Sequence, residues 1–143
     1  TTNPTLMRQA GIDDYEVFAR KAIEIVSPRP LSLEVFSDNI AEMERQALTI
    51  AGWGDNVNVK IPITNTKSES TVELVRRLSQ SGVKVNVTAV FTLEQVDPLL
   101  EAVAGGAPTY ISIFAGRIAD AGVDPMPIVR EAVERGRSHH NVE

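Results

Sequence analysis

Four polar residues recur at one fixed interval: Glu34, Lys60, Asn86 and Ser112 each lie 26 residues after the last. Each sits in a short run rich in β-branched residues: Leu31–Phe36, Val57–Pro62, Val83–Thr88 and Tyr110–Phe114. Side chains alternate faces along a strand. Each run therefore turns apolar residues one way and a polar set the other: Ser32/Glu34, Asn58/Lys60, Asn86/Thr88 and Ser112/Phe114. A carboxylate, an amine, an amide and hydroxyls converge from neighbouring strands. That set can move protons, attack a carbonyl and hold hydroxyl groups.

Lys60 is central to this chemistry. The plain reading is a strand lysine facing water. The alternative follows from its place between Val59, Ile61 and Pro62 in the middle of a sheet. An amine removed from water loses its proton more readily, and a neutral amine attacks a carbonyl to form a Schiff base. The resulting iminium is an electron sink for breaking a carbon–carbon bond. Glu34 is either the ion-pair partner that makes a buried lysine tolerable or a carboxylate that moves protons through a water. Asn86, Thr88 and Ser112 are either mutually satisfied interior groups or ligands for substrate hydroxyls. Arg117, in Phe114-Ala-Gly-Arg-Ile-Ala-Asp120, is a surface residue or a bidentate phosphate ligand at the end of its strand.

The positioning elements alternate along the chain. A helix over Asp13 to about Val26 ends at Ser27-Pro28-Arg29-Pro30. Ile40, Met43, Ala47 and Ile50 keep one face of a second helix; Val72, Val75 and Leu78 keep one face of a third. Ser70…Glu73 and Thr92…Gln95 match capping boxes, the latter opening a helix through about Ala104 that contains Pro98. Asp124-Pro125 reads as the cap and first-turn proline of a helix ending near Gly136. Repeated strand–helix units predict a parallel sheet. A doubly wound sheet would bury both faces of its central strands, whereas these keep one polar face. The expected fold class is therefore α/β, a (β/α)₈ TIM barrel. Residues 1–143 are expected to form a single partial domain covering roughly strands 2 to 6. The tail of one more strand is expected at Thr1–Asn3 and the start of another at Asn141–Glu143, so both ends read as cut.

Bulk properties narrow the function. With 43% hydrophobic and 23% charged residues the chain is globular rather than disordered. A net charge of −5 with no basic block argues against a nucleic-acid partner. No apolar stretch approaches the roughly 18 residues of a membrane span, and no secretory signal is visible. The expectation is a cytoplasmic protein with no membrane partner. There is no cysteine, which removes thiolate chemistry and zinc–thiolate sites. His139 and His140 lack spaced partners, so no metal site is expected. Association with further copies of the chain is left open.

These residues resemble those of the transaldolase family, which includes the fructose-6-phosphate aldolases. Thr1-Thr2-Asn3-Pro4 is similar to the family's second-strand signature, and Ser32-Leu-Glu-Val35 to the strand of its catalytic glutamate. Val59-Lys-Ile-Pro62 resembles the Schiff-base lysine strand. Asn86-Val-Thr88 with Phe91 and Gln95 matches the next unit, and Ile111-Ser-Ile-Phe-Ala-Gly-Arg-Ile118 the phosphate-side motif. The resemblance implies Lys60, Glu34 and Thr88 as catalytic, Lys60 as the nucleophile and the other two holding a proton-shuttling water. It implies Asn3, Asn86, Ser112, Phe114 and Arg117 as substrate-binding, with Arg117 on phosphate. The implied partners are sugar phosphates, and no cofactor is called for. Glu34 and Phe114 are transaldolase-like, where aldolase-type members carry glutamine and tyrosine. The implied reaction is transfer of a dihydroxyacetone unit between sugar phosphates, within the pentose phosphate pathway. The alternatives are an aldolase-type lyase or a non-catalytic sugar-phosphate-binding barrel fragment. Ile113 stands where many members have proline. The family's strand-1 aspartate and strand-7 arginine have no counterpart in residues 1–143.

Overall fold

The computed structural model describes residues 1–143, the side chain of Pro4 excepted. Two helices, α1 (Pro4–Gln9) and α2 (Tyr15–Val26), precede a regular alternation. It runs β1 (Leu31–Glu34), α3 (Ile40–Ala51), β2 (Val57–Pro62), α4 (Val72–Gln80), β3 (Val85–Val90), α5 (Leu93–Val103) and β4 (Thr109–Ile113). Two helices follow, α6 (Ala115–Asp120) and α7 (Met126–Gly136). The four strands form one parallel sheet in the order β1-β2-β3-β4. Sequential order with a helix after every strand is the arrangement of a (β/α)₈ barrel. A doubly wound sheet reverses its order at a switch point.

The alternation of the strands explains the core. Leu33, Val59, Ile61, Val85 and Val87 are fully buried and pack with Met43 and Ala47 of α3, Leu74, Val75 and Leu78 of α4, and Val96 and Leu99 of α5. The opposite parity carries Ser32, Glu34, Asn58, Lys60, Asn86 and Thr88. Both sheet edges carry backbone pairing. The Thr2 amide donates to the Ser32 carbonyl at 3.1 Å, and Val142 bridges Thr109 in parallel.

Several boundaries differ from the sequence expectation; β4 runs Thr109–Ile113 rather than Tyr110–Phe114, and the N-cap of α7 is Pro125 rather than Asp124. β1 ends at Glu34 rather than Phe36, because the amides of Phe36 and Ser37 donate to the Gln46 side-chain carbonyl at 2.8 and 3.1 Å. The capping box at Ser70…Glu73 does not form. The N-cap of α4 is Thr71, whose hydroxyl instead donates to the Pro62 carbonyl at the end of β2. β3 starts at Val85 and runs two residues beyond Thr88, through a register shift between Val87 and Val90. Ala89 takes φ 58° there, the left-handed conformation that a bulge residue adopts. Elsewhere the reading holds closely. Gln95 accepts from the amides of Phe91 and Thr92 at the start of α5, and α5 continues past Pro98 to Val103.

Candidate active site

Equal sequence spacing becomes spatial register. Glu34 pairs with Lys60 across β1 and β2, and Lys60 with Asn86 across β2 and β3. The Lys60 amine donates to Glu34 Oε2 at 3.1 Å, the two side chains being 12% and 19% exposed. Both readings of Glu34 are compatible with this contact. The fourth interval does not translate in the same way. Asn86 pairs with Tyr110, and Ser112 faces the bulged Thr88–Ala89 step. Ser112 nevertheless reaches Asn86, donating from its hydroxyl to Oδ1 at 2.8 Å. Asn86 Nδ2 donates onward to Ser32 Oγ at 2.9 Å. A hydrogen-bonded chain thus links β4, β3 and β1. Ser32 is a member that the strand parity exposed but to which the sequence reading gave no role.

Above the carboxyl ends of the strands lies a cavity of about 710 Å³. Its walls include Asn3, Glu34, Lys60, Phe114 and Arg117, five of the eight residues singled out from sequence. Asn86, Thr88 and Ser112 are not among its walls. Thr88 sits beside Pro62, which does line the cavity. Its Oγ1 is shut off from solvent in a residue 1% exposed, and has no hydrogen-bond partner among the described groups. Asn3 serves α1 as its N-cap, with Oδ1 accepting from the Leu6 amide at 2.8 Å. Phe114 packs edge-on against Phe91, ring centroids 5.7 Å apart. Arg117 stands on α6 with its side chain 74% exposed, 3.6 Å from Asp120. Its guanidinium is therefore only loosely engaged.

Other residues that the sequence reading passed over surround the site: Asp38, Asn65 and Thr66 line the cavity, whereas Tyr15, the first residue of α2, does not. Tyr15 donates from its hydroxyl to the Glu34 carbonyl at 3.2 Å, between Phe36 and Trp53 at centroid distances of 4.5 and 5.7 Å. Burial pushes its phenol pKa up. Asp38, after β1, accepts from the amide and hydroxyl of Thr66, after β2, at 2.8 and 2.6 Å. The hydroxyl bond, more than the amide bond, holds the Asp38 carboxyl below its ordinary pKa. Buried Asn65 donates to the Asp38 carbonyl at 3.2 Å and to Glu69 Oε2 at 2.6 Å, and accepts from the amides of Lys67 and Glu69. The contacts to Asp38 span 27 to 28 residues of sequence, and none of the set follows a periodic pattern. Only the density of Asn, Thr and Ser after Pro62 hinted at an ordered loop. Among the described residues no group of three or more His, Asp or Glu could hold a metal ion. No helix among them is long and apolar enough to cross a membrane.

An amine in register with a carboxylate, at the mouth of sequentially ordered parallel strands, narrows the family. A family model described as Transaldolase/Fructose-6-phosphate aldolase matches residues 1–143. The chain belongs to this family. A protein of Dehalococcoides mccartyi named "Probable transaldolase" is 39% identical over 133 residues, which is 93% of this chain and 58% of that protein. One of Streptococcus equi subsp. zooepidemicus with the same name is 42% identical over 131 residues, 92% of this chain and 56% of that protein. One of Streptococcus agalactiae, again so named, is 41% identical over 131 residues. The chain spans a little over half the length of these curated relatives. Membership of this (β/α)₈ family accounts for the sheet order, and the four strands with their helices are a consecutive part of such a barrel.

Proposed function

We propose that the protein carries out transaldolase-type transfer of a dihydroxyacetone unit from a ketose phosphate to an aldose phosphate, through a Schiff base on Lys60. The observation that carries this reading is the Lys60–Glu34 contact at 3.1 Å on the wall of the cavity that also holds Phe114 and Arg117. The Lys60 amine attacks the ketose carbonyl, and the carbinolamine loses water to give an iminium. A proton leaves the hydroxyl on C4, the C3–C4 bond breaks, and its electron pair passes to the iminium. The aldose phosphate departs and leaves an enamine on Lys60. The enamine adds to the carbonyl carbon of an acceptor aldose phosphate, and water releases the new ketose. Glu34 and the Thr88 hydroxyl hold the water that carries the protons. Asn3, Asn86 and Ser112 bind substrate hydroxyls, and Arg117 binds the phosphate. The iminium is the electron sink, so the chemistry needs no metal or organic cofactor. The setting that fits is the non-oxidative pentose phosphate pathway in the cytoplasm.

The test is borohydride reduction of the protein, as expressed from its natural gene, in the presence of fructose 6-phosphate. A sugar-derived adduct is expected at Lys60. An adduct at Lys84 or Lys67 instead would overturn the assignment. Lys84 is the other lysine two residues from a site strand position, but its amine is occupied by the Asp55 carbonyl at 2.7 Å. A lyase of the aldolase type would release free dihydroxyacetone without an acceptor aldehyde. Phe114, in place of a proton-transferring tyrosine hydroxyl, favours transfer.

Arg117→Ala gives a second check. A charge-assisted bidentate phosphate contact contributes about 1.5–3 kcal/mol, and the exposure of this guanidinium puts it at the low end. KM for phosphorylated sugars is expected to rise about 10-fold, with little change for unphosphorylated dihydroxyacetone. Equal losses for both would make Arg117 structural.

A further inference from the structure

The charges lining the Lys60 cavity are Glu34, Asp38, Lys60 and Arg117. Glu34 and Lys60 offset each other by direct contact. What remains is a dipole: Arg117 follows β4, Asp38 follows β1, and three strand spacings of about 4.8 Å separate those strands. Lys67 and Glu69, in the loop beneath Asp38, carry opposite charges and leave its sign unchanged. Asp38 is held in place rather than waving in solvent. Thr66 fixes both carboxylate oxygens, and the buried Asn65 side chain fixes the Asp38 carbonyl.

We propose that Asp38 is a specificity-determining residue: a fixed negative charge on the β1 side of the cavity that repels phosphate there. It thereby restricts the site to ketoses phosphorylated only at the end that reaches Arg117. This rests on the Schiff-base reading of Lys60. A ketose bound with its carbonyl carbon at Lys60 directs its two ends to opposite sides of the cavity. A phosphate on the Arg117 side meets a guanidinium, and a second phosphate on the other side meets the Asp38 carboxylate. Asp38 touches no reacting atom. It acts through charge, and Thr66 and Asn65 act by holding that charge in position.

The test compares kcat/KM for fructose 6-phosphate and fructose 1,6-bisphosphate in the natural protein and in Asp38→Asn, at low and high salt. A doubly charged phosphate about 7 Å from a carboxylate in a water-exposed setting meets a repulsion equivalent to roughly three- to ten-fold in rate. Asp38→Asn removes the charge, keeps an oxygen to accept from the Thr66 amide, and turns an amide N–H toward the Thr66 hydroxyl, which can accept it. The bisphosphate-to-monophosphate ratio is expected to rise three- to ten-fold in this variant. In the natural protein the same ratio should rise with added salt, and in the variant it should rise less, because one of the charges being screened is gone. Thr66→Val keeps the charge and loosens its hold, and is expected to shift the ratio less than Asp38→Asn does. An unchanged ratio in Asp38→Asn, with fructose 6-phosphate still turned over, overturns the role of Asp38 alone. Absence of turnover and of a Lys60 adduct with either sugar overturns the Schiff-base reading and this inference with it.

Discussion

Lys60→Met is expected to abolish both the borohydride-trapped adduct and turnover, lowering kcat by at least about 10⁴-fold, the scale on which nucleophile removal acts. Methionine is close to lysine in length and faces the cavity from the same strand position, so the change is mainly the loss of the amine. It also leaves the Glu34 carboxylate without its partner. Breaking a fully buried ion pair costs about 3–5 kcal/mol. Glu34 is 19% exposed and its pair lies at the cavity wall, so the cost here is expected to be smaller. A double variant, Lys60→Met with Glu34→Gln, removes the stranded charge and should recover most of the lost stability while remaining inactive. That pairing separates chemistry from folding. Binding of fructose 6-phosphate, followed by calorimetry, should survive in both variants if Arg117 holds the phosphate. A Lys60→Met protein that keeps measurable transfer activity would remove Lys60 from the mechanism.

The residues that sequence made legible are those whose position follows from periodicity. The 26-residue interval of Glu34, Lys60 and Asn86 is the length of one strand–helix unit, and parallel pairing turns it directly into register. The alternation that put Leu33, Val59 and Val87 against the helices also turned Ser32, Lys60 and Asn86 the other way. Ser112 shows where the rule stops. β3 and β4 pair with Asn86 opposite Tyr110, so Ser112 is not opposite Asn86 and meets it only through its side chain. The bulge at Ala89 comes after this pairing, depends on local backbone geometry and leaves no mark in an apolar–polar pattern. Arg117 is a different case. Its place after β4 was readable, but not its exposure, because that depends on what surrounds α6. The Asp38–Thr66 and Asn65–Glu69 contacts were not legible at all. They join loops whose residues carry no periodicity, and their specificity lies in hydrogen-bond geometry. The start of α4 moved from Ser70 to Thr71 for the same reason, since a tertiary bond to Pro62 outbids a local cap.

Thr88→Val is expected to raise stability and lower activity together. Thr88 Oγ1 is buried without a hydrogen-bond partner among the described groups, in the middle of β3 and level with Pro62 on β2. A buried, unpaired hydroxyl costs about 1–3 kcal/mol. Valine matches threonine in shape, shares its strand preference and carries no group to satisfy. The backbone is unaffected, because the Thr88 carbonyl accepts from the Ile63 amide whatever the side chain. On folding grounds alone the position should favour valine, and the variant should unfold at higher denaturant with an unchanged slope, by about 1–2 kcal/mol. The hydroxyl is worth keeping only if it serves the reaction, by holding with Glu34 the water that relays protons to and from the Lys60 adduct. Removing a positioned proton-transfer group costs about 10²- to 10⁴-fold in rate. The loss should fall on kcat, with KM for fructose 6-phosphate little changed, and Thr88→Ser should restore much of it. If Thr88→Val is destabilised and fully active, the hydroxyl is a structural group and the proton relay runs elsewhere.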